Sequence, residues 1–214
     1  MQEKSSADPA GARPVMLLLN LLPLVHAAGT MACFLTPWPW LAPLALYFAP
    51  LVPGRILREM LRSRPAGIAL GSSGFLQWWA CFQCQVLFLR FPVLEEILRL
   101  VPGLYSLWLR AWGSNIGSVT YWAPGTIILD RGFLDIGDRV VFGAGVRINP
   151  HVMENSPGPV LLLAPVTIGD DAVIGGYSLL TAGTEIASGE ATRAFLISPP
   201  FSRWENGKRN RKNT

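Results

Sequence analysis

Apolar residues return at every sixth position over much of the C-terminal half of this chain. Ile136, Phe142 and Ile148 open three six-residue blocks, and Ile168, Ile174, Leu180 and Ile186 open four more. A period of six fits neither an α-helix at 3.6 nor a long strand at two. It is typical of a solenoid whose coils carry short strands joined by turns, so it predicts a parallel β-helix with one buried aliphatic column. A β-sandwich is the competing interpretation, and the shared phase of the blocks disfavours it.

The β-helix is predicted to occupy residues 113–190. Ile116, Trp122, Ile128 and Leu134 keep the period, the phase then slips by two residues to Ile136, and the blocks make roughly four coils. One interruption between Ile148 and Ile168 must leave the regular column. After Ile186 the pattern is lost, so residues 191–214 are predicted to form a basic C-terminal tail. Such a tail is typically solvated, with phosphate binding as the alternative.

An uncharged run extends from Val15 to Val52. It exceeds the roughly 20 residues that cross a hydrocarbon core of ~30 Å, and Pro37 and Pro39 interrupt it in the middle. The run predicts a helical hairpin over residues 14–54, transmembrane or re-entrant, after a disordered tail at 1–13. A signal peptide is the competing interpretation, disfavoured by the balanced charge before the run and by the run's length. The arginines that follow favour the cytoplasmic side of the inner membrane for both ends of the hairpin (Arg55, Arg58, Arg62 and Arg64).

Residues 55–112 are predicted to form basic and amphipathic helices at the membrane interface. The stretch from Phe75 to Arg90 is rich in apolar residues and carries a single charge, at its last residue, which indicates a helix immersed in lipid headgroups or under other helices. Two short helices follow, and the second has an aromatic stripe of Tyr105, Trp108 and Trp112. That stripe is expected to pack against the first coil or to rest on the membrane surface.

Composition and charge indicate which classes of binding partner the chain favours. Half of the 214 residues are apolar and only 15% are charged, with the apolar excess before Gly113. The net charge of +4 comes from basic clusters that flank hydrophobic segments, which favours membrane headgroups or an anionic co-substrate over nucleic acid. Cys33, Cys81 and Cys84 have no further ligands at metal-site spacing, so we expect buried thiols in a reducing compartment.

His151 is the leading candidate for a catalytic residue because it lies where the repeat is interrupted. An imidazole with an unperturbed pKa of ~6.5 takes a proton near neutral pH, and a nearby carboxylate would hold its tautomer. Glu154 is the predicted carboxylate, and Asn149 and Asn155 are weaker polar candidates. A histidine that only caps a turn is the alternative. His26, the other histidine, lies in the hydrophobic hairpin, where a structural role is expected.

The blocks and the loop histidine resemble those of the left-handed β-helix hexapeptide-repeat acyltransferases. Ile168-Gly169-Asp170-Asp171-Ala172-Val173 matches their block pattern completely, and Ile136-Gly137-Asp138-Arg139-Val140-Val141 matches it closely. The resemblance implies left-handed coils, a homotrimer with active sites between subunits, and acetyl-CoA or another acyl thioester as co-substrate, with no metal. It also implies that His151 is the general base, and by the same mechanism Glu154 is expected to orient His151 or to stabilise its charge. A pantetheine arm is expected to run along the coil past four residues (Gly175, Gly176, Tyr177 and Ser178).

A second resemblance is to the membrane-linked terminal domains of polylysine-type peptide synthetases. It is carried by residues 148–154 (Ile-Asn-Pro-His-Val-Met-Glu) and 165–170 (Pro-Val-Thr-Ile-Gly-Asp). Since these 214 residues hold no adenylation or carrier domain, an acyl or aminoacyl group is expected to arrive on a separate acyl or peptidyl carrier protein. The apolar insert at 157–165 is expected to pack on the next subunit, enter the membrane or line an acyl tunnel.

Together these patterns predict a mainly β chain: a short left-handed parallel β-helix preceded by N-terminal hydrophobic α-helices. The predicted function is that of a membrane-attached acyltransferase that acts on a hydroxyl or amine of a lipid-linked, saccharide or other small acceptor. An amide-forming condensation domain and a non-catalytic trimeric scaffold stay open. A metal enzyme like the γ-class carbonic anhydrases would need three histidine ligands at a subunit interface, and the predicted β-helix holds only His151.

Overall fold

A computed structural model describes residues 9–64, 66–155 and 158–211. The chain divides into two compact units, with the boundary between Arg90 and Phe91. The sequence-predicted boundary at residue 112 is therefore wrong, because the last two helices belong to the same unit as the β-helix. The ends of the predicted terminal tails, at 1–8 and 212–214, lie outside the described residues.

The first unit is helical. Its helices are α1 (Pro9–Leu19), α2 (Leu22–Cys33), α3 (Leu41–Phe48), α4 (Leu51–Arg62), α5 (Ser73–Gln83) and α6 (Val86–Arg90), with a short strand β1 (Gly67–Ala69) before α5. The Ser72 hydroxyl caps α5 by accepting a hydrogen bond from the Phe75 amide at 3.2 Å. The predicted helix over Phe75 to Arg90 is divided by a turn at Cys84 and Gln85.

The turn at Pro37 and Pro39 separates α2 from α3, as the sequence predicts. His26 links the two helices, since its Nε2 lies 3.0 Å from the Leu46 carbonyl oxygen. Two expectations need correction: residues 9–13 are helical, and α4 runs on past residue 54 without a break. One helical run within the described chain, Ala12–Cys33, is long and apolar enough to cross a membrane by length and composition.

The second unit begins with α7 (Val93–Arg99) and α8 (Leu104–Ala111) and continues as a parallel β-helix of three sides. The first side contains β2 (Asn115–Ile116), β5 (Leu134–Ile136), β10 (Val166–Ile168), β13 (Glu185–Ile186) and β15 (Ser202–Glu205). The second side contains β3 (Tyr121–Trp122), β6 (Val141–Phe142) and β11 (Val173–Ile174). The third side contains β4 (Ile127–Ile128), β7 (Arg147–Asn149), β12 (Leu179–Thr181) and β14 (Ile197–Ser198).

The strand register gives the length of each coil. It pairs Ile116 with Ile136, Ile136 with Ile168, Ile168 with Ile186, and Ile186 with Trp204, so successive coils advance by 20, 32, 18 and 18 residues. The sequence predicts roughly four coils by residue 190, whereas the register completes three by Ile186 and the fourth only at Trp204. All of the predicted first-position residues in this stack are buried, including Ile128, Phe142, Ile148, Ile174 and Leu180 at 0% exposure. The hexad pattern therefore marks the inward column, as a solenoid core requires.

The predicted end of the β-helix at residue 190 is wrong, because a fourth coil continues to β15. The hexad phase continues through Thr192, Ser198 and Trp204, and two of these three positions are polar. Ser198 is fully buried, and its hydroxyl pairs with the Thr184 hydroxyl at 2.9 Å and with the Trp204 indole N–H at 2.8 Å. These hydrogen bonds satisfy polar groups in the column where the pattern expects an aliphatic side chain. Lys208–Arg211 then forms β16, antiparallel to β15, in place of the predicted solvated tail.

Helices α7 and α8 cover the open end of the first coil, where β2, β3 and β4 each lie at the edge of a sheet. Arg110 donates to the Ile116 and Gly117 carbonyl oxygens at 2.8 and 2.9 Å. The Tyr105 ring packs edge-on against Trp122 at 5.3 Å between centroids, and Trp122 stacks on Phe142 at 4.4 Å. The aromatic stripe of α8 is thus buried against the first coil, which confirms the packing alternative over the membrane surface.

A buried ionic cluster joins this cap to the first coil. The Glu95 carboxylate accepts hydrogen bonds from Arg131, from Arg99 at 3.1 Å and from the Tyr105 hydroxyl. Arg131 is 0% exposed, and its guanidinium lies 5.7 Å from the Trp108 ring centre. Because one carboxylate serves two arginines, removal of either arginine leaves buried charge with fewer partners.

Replacing Arg131 by methionine is expected to lower the free energy of unfolding by about 3 kcal/mol, because Glu95 keeps its burial and loses a cation. The melting temperature of the full chain should fall by roughly 6–12 °C. The matched control is Arg139→Met, which breaks an ion pair with Asp171 whose two side chains are 54% and 56% exposed. Its effect should be much smaller. Equal losses in the two variants, measured by thermal unfolding in detergent, would contradict the structural role of the cluster.

Candidate active site

The candidate site lies at the corner where the third side of the β-helix turns into the first. In the first coil this corner is the segment 129–133 between β4 and β5, two residues longer than the same corner in the third coil. In the second coil the chain leaves the corner as a hairpin of β8 (His151–Glu154) and β9 (Val160–Leu163). Residues from two stacked coils therefore meet here.

His151 and Asp130 form the pair at the centre of the site. The His151 Nδ1 and the Asp130 Oδ2 atoms are 2.5 Å apart. The histidine side chain is 14% exposed and the carboxylate 2%. Burial lowers the pKa of His151, but the charge of Asp130 and the hydrogen bond to it outweigh burial and raise the pKa overall. With Nδ1 as the donor to Asp130, Nε2 is the ring nitrogen suited to take up a proton.

Asp130 is held in place by its neighbours in the chain. Its carbonyl oxygen accepts from the Phe133 amide at 3.1 Å. The next residue, Arg131, is anchored through Glu95, and its carbonyl oxygen accepts from the Ser114 hydroxyl at 2.6 Å. A carboxylate on a segment fixed in this way can set the orientation of an imidazole.

The hairpin places His151 at its base. In the antiparallel register His151 pairs with Leu163, and the Ala164 amide donates to the Pro150 carbonyl oxygen at 3.0 Å. Leu161 and Leu163 are buried at 0% and 6% exposure. These two leucines of the insert are therefore already covered within the chain. A role of the insert toward a second subunit, a membrane or an acyl tunnel stays a prediction. Ser156 and Pro157 lie outside the described residues.

Glu154 does not orient His151, so that sequence-based expectation is corrected. Successive side chains of a strand alternate between its two faces, so Glu154 lies on the opposite face of β8 from His151. It is exposed and makes no hydrogen bond or ion pair among the described residues. Asn149 differs: its Oδ1 is buried and has no hydrogen-bond partner in the described chain. An acceptor atom of this kind beside the site can receive a hydrogen bond from a ligand. No contact is described for Asn155.

The four residues predicted to line a pantetheine arm lie at a different corner, between the second and third sides. Gly175 donates from its amide to the Thr192 hydroxyl at 3.0 Å, and a Cβ there would lie 2.3 Å from the Arg193 carbonyl carbon. A Cβ on Gly176 would approach the Ala144 carbonyl oxygen to 3.1 Å. Ser178 is buried and donates to the Gly175 carbonyl oxygen at 2.6 Å. These three residues have a structural role in coil stacking.

Tyr177 is the exception among the four. It is 63% exposed, has a positive φ of 56°, and stacks on Phe195 at 5.4 Å between centroids. Phe195 is itself 70% exposed, so the two rings form an open aromatic surface at this corner. The binding of a thioester arm here stays a prediction.

The sequence holds one signal for Asp130 that pattern reasoning missed. The phase of the hexads slips by two residues between Ile128 and Ile136, and the extra residues are in the segment that carries Asp130. The two extra residues of the first coil and the hairpin of the second coil lie at the same corner of adjacent coils. Residues of the two segments can therefore lie side by side. The described residues contain no group of three or more histidines, cysteines or acidic residues able to hold a metal ion. The three cysteines are free thiols, and Cys81 is buried.

No family model matches this chain, and no curated protein matches it. Solved structures similar to it include a hexapeptide-repeat-containing acetyltransferase from Vibrio cholerae, at 17% identity over 56% of this chain and 85% of that chain, with a TM-score of 0.37. The same enzyme in complex with acetyl coenzyme A matches at 16% identity over 60% and 86%, with a TM-score of 0.40. A galactoside acetyltransferase in complex with coenzyme A matches at 14% identity over 54% and 74%, with a TM-score of 0.32. The repeat architecture of this chain stands on its own strand register and not on these likenesses.

Proposed function

We propose that this chain is a membrane-attached acyltransferase that moves an acyl group from a thioester to a hydroxyl or amine. Acetyl is the acyl group that we propose first. The observation that carries the proposal is the buried His151–Asp130 pair, at the corner where a hairpin leaves a hexapeptide-repeat β-helix. A histidine held by a carboxylate is the arrangement that general-base catalysis of acyl transfer requires.

In the proposed mechanism the Nε2 atom of His151 takes the proton of the acceptor hydroxyl or amine as the acceptor attacks the thioester carbonyl carbon. Asp130 keeps the Nδ1 proton in place and stabilises the imidazolium that forms. The tetrahedral intermediate then collapses: the new C–O or C–N bond remains, the C–S bond breaks, and the leaving thiolate takes the proton from His151. The Asn149 Oδ1, which has no partner in the described chain, would accept a hydrogen bond from the acceptor.

The donor proposed is acetyl-CoA or another acyl thioester, on the sequence resemblance to hexapeptide-repeat acyltransferases. The open aromatic surface of Tyr177 and Phe195 fits an apolar part of such a donor, because both rings are exposed and nearly parallel at 10°. That corner is not the corner of His151 within one chain, so a complete site needs a neighbouring subunit. We accordingly propose a homotrimer of left-handed coils with sites between subunits.

An outward apolar column supports the assembly. Tyr121, Val141 and Val173 are in register on the second side of the β-helix and are 58%, 38% and 43% exposed. Large apolar side chains aligned on one face favour cover by a partner. A second copy of the chain is the proposed partner.

Membrane attachment is supported by the first unit. The run from Ala12 to Cys33 has the length and hydropathy of a span, and it presents Leu17, Leu18, Leu24 and Met31 to the outside at more than 60% exposure each. An apolar surface of that kind favours lipid over water. The arginines after it support the cytoplasmic side of the inner membrane for the second unit. The proposed acceptor is lipid-linked, a saccharide or another small molecule, and this holds whether the hairpin spans the membrane or is re-entrant.

The test uses full-length protein in vesicles made from total membrane lipid, supplied separately with acetyl-CoA and with an acyl carrier protein loaded with an acyl or aminoacyl group. The proposal expects release of free thiol with acetyl-CoA that depends on the lipid extract. Release from the carrier alone would favour the condensation alternative. No release from either donor, by a protein that sediments as a trimer, would favour a scaffold and overturn the proposal.

A further inference from the structure

A groove lies on the helical unit between α2, α3 and the start of α4. Its volume is about 380 Å³, and the residues that matter here are Gly29, Thr30, Ala45, Ala49, Pro53 and Cys84. We propose that this groove binds one acyl chain of a membrane lipid. The inference rests on the membrane attachment proposed above and adds a lipid site that is separate from the chemistry at His151.

The groove exists because small residues line it and because its walls are fixed. A Cβ built on Gly29 meets nothing within 4 Å, so the space there is open. His26 keeps α2 and α3 at a set distance, with Nε2 3.0 Å from the Leu46 carbonyl oxygen and 3.3 Å from that of Ala45. Small side chains commonly let helices approach each other closely. Here the small side chains leave a gap between the two helices that His26 links.

The lining excludes water as the occupant. A stable internal water needs two to four polar partners, and the lining of the groove is almost entirely apolar. The His26 Nε2 is already engaged by carbonyl oxygens of α3. An apolar space of this size without filling would forfeit the dispersion contacts of its walls. A flexible hydrocarbon chain is the occupant that restores those contacts.

The position of the groove identifies the source of the chain. Leu22 and Val25 lie at its wall and are 36% and 66% exposed, and both belong to the run Ala12–Cys33. A bilayer around this run would place lipid tails directly against the mouth of the groove. An acyl chain therefore enters sideways from the membrane, without crossing water.

The test compares Gly29→Leu with Ala28→Leu on the same helix. Leucine at position 29 fills the open space and is a better helix former than glycine, whereas Ala28 is exposed and outside the lining. The probe is a phosphatidylcholine with a photoreactive diazirine on one acyl chain, mixed into vesicles that carry the full-length protein. Labelled peptides are mapped by mass spectrometry, and vesicle co-sedimentation and thiol release from acetyl-CoA are measured on the same samples.

We expect label concentrated on residues that line the groove in the wild type and in Ala28→Leu, with loss to the level of an unirradiated sample in Gly29→Leu. Equal labelling of every outward-facing residue, unchanged in Gly29→Leu, would overturn the site, as would crosslinks between two copies at these residues. Failure to sediment with vesicles would overturn it together with membrane attachment. If the wild type shows the expected labelling pattern but releases no thiol from acetyl-CoA, only the proposed enzyme activity is refuted.

Discussion

Replacing His151 by glutamine is expected to lower the rate of acyl transfer by on the order of 10³-fold, the contribution typical of a general base. Glutamine keeps much of the shape of histidine and can still donate a hydrogen bond to Asp130. The substitution therefore leaves no cavity beside the carboxylate. What is lost is the nitrogen that takes the acceptor's proton. The measurement is kcat/KM from thiol release with acetyl-CoA and the vesicle-borne acceptor.

The control is Glu154→Gln, which changes the carboxylate that the sequence favours as the partner of His151. Glu154 is exposed on the other face of β8, so its replacement should change kcat/KM only slightly. A His151→Gln variant that keeps its rate to within a few-fold of the wild type, while it remains folded and in the same oligomeric state as the wild type, would remove His151 from the mechanism.

Replacing Asp130 by asparagine is expected to cost on the order of 10³-fold in kcat, because an amide can hold the imidazole in the wrong tautomer and cannot stabilise its positive charge. The pH profile supplies a second readout. His151 must be neutral to act as a base, so activity rises as the pH passes the pKa of His151. Asp130 raises that pKa, and the acidic limb of the wild type should therefore lie above pH ~6.5.

Without the carboxylate, the cause that raises the pKa of His151 is removed, and burial, which lowers it, remains. The acidic limb of kcat/KM in Asp130→Asn is therefore expected to move to lower pH. A merely structural role for Asp130 would reduce the amplitude and leave the limb in place. If the acidic limb does not move in Asp130→Asn, or if it moves in Glu154→Gln instead, Asp130 is not the partner that sets the pKa of His151.

The sequence predicts the repeat architecture well because a solenoid writes its inward column directly into the order of residues. Ile136, Ile168 and Ile186 stack on one another as the spacing requires. The rule fails in the fourth coil, where Ser198 takes an inward position and compensates through hydrogen bonds to Thr184 and Trp204. Hydropathy alone cannot register a polar group that is satisfied by partners distant in the sequence.

The sequence points to one member of the candidate pair and misses the other. His151 follows from the interruption of the repeat, but its partner is 21 residues earlier in the chain and meets it only through coil stacking. Glu154 is nearer in sequence and faces away, since strand geometry alternates side chains. The helices before the β-helix show the same limit. The aromatic residues of α8 are equally suited to a membrane surface or to a buried cap, and only the contact of Tyr105 with Trp122 decides between them.

The central claim is that this chain transfers an acyl group and that His151 serves as the base. The most direct measurement is mass spectrometry of membrane lipid extract after incubation with acetyl-CoA labelled with ¹³C in the acetyl group, using wild type and His151→Gln in parallel. We expect one acceptor species that gains a labelled acetyl group with the wild type and does not gain it with the variant. Equal labelling with both proteins, or no labelled species with folded wild-type protein, would contradict this expectation.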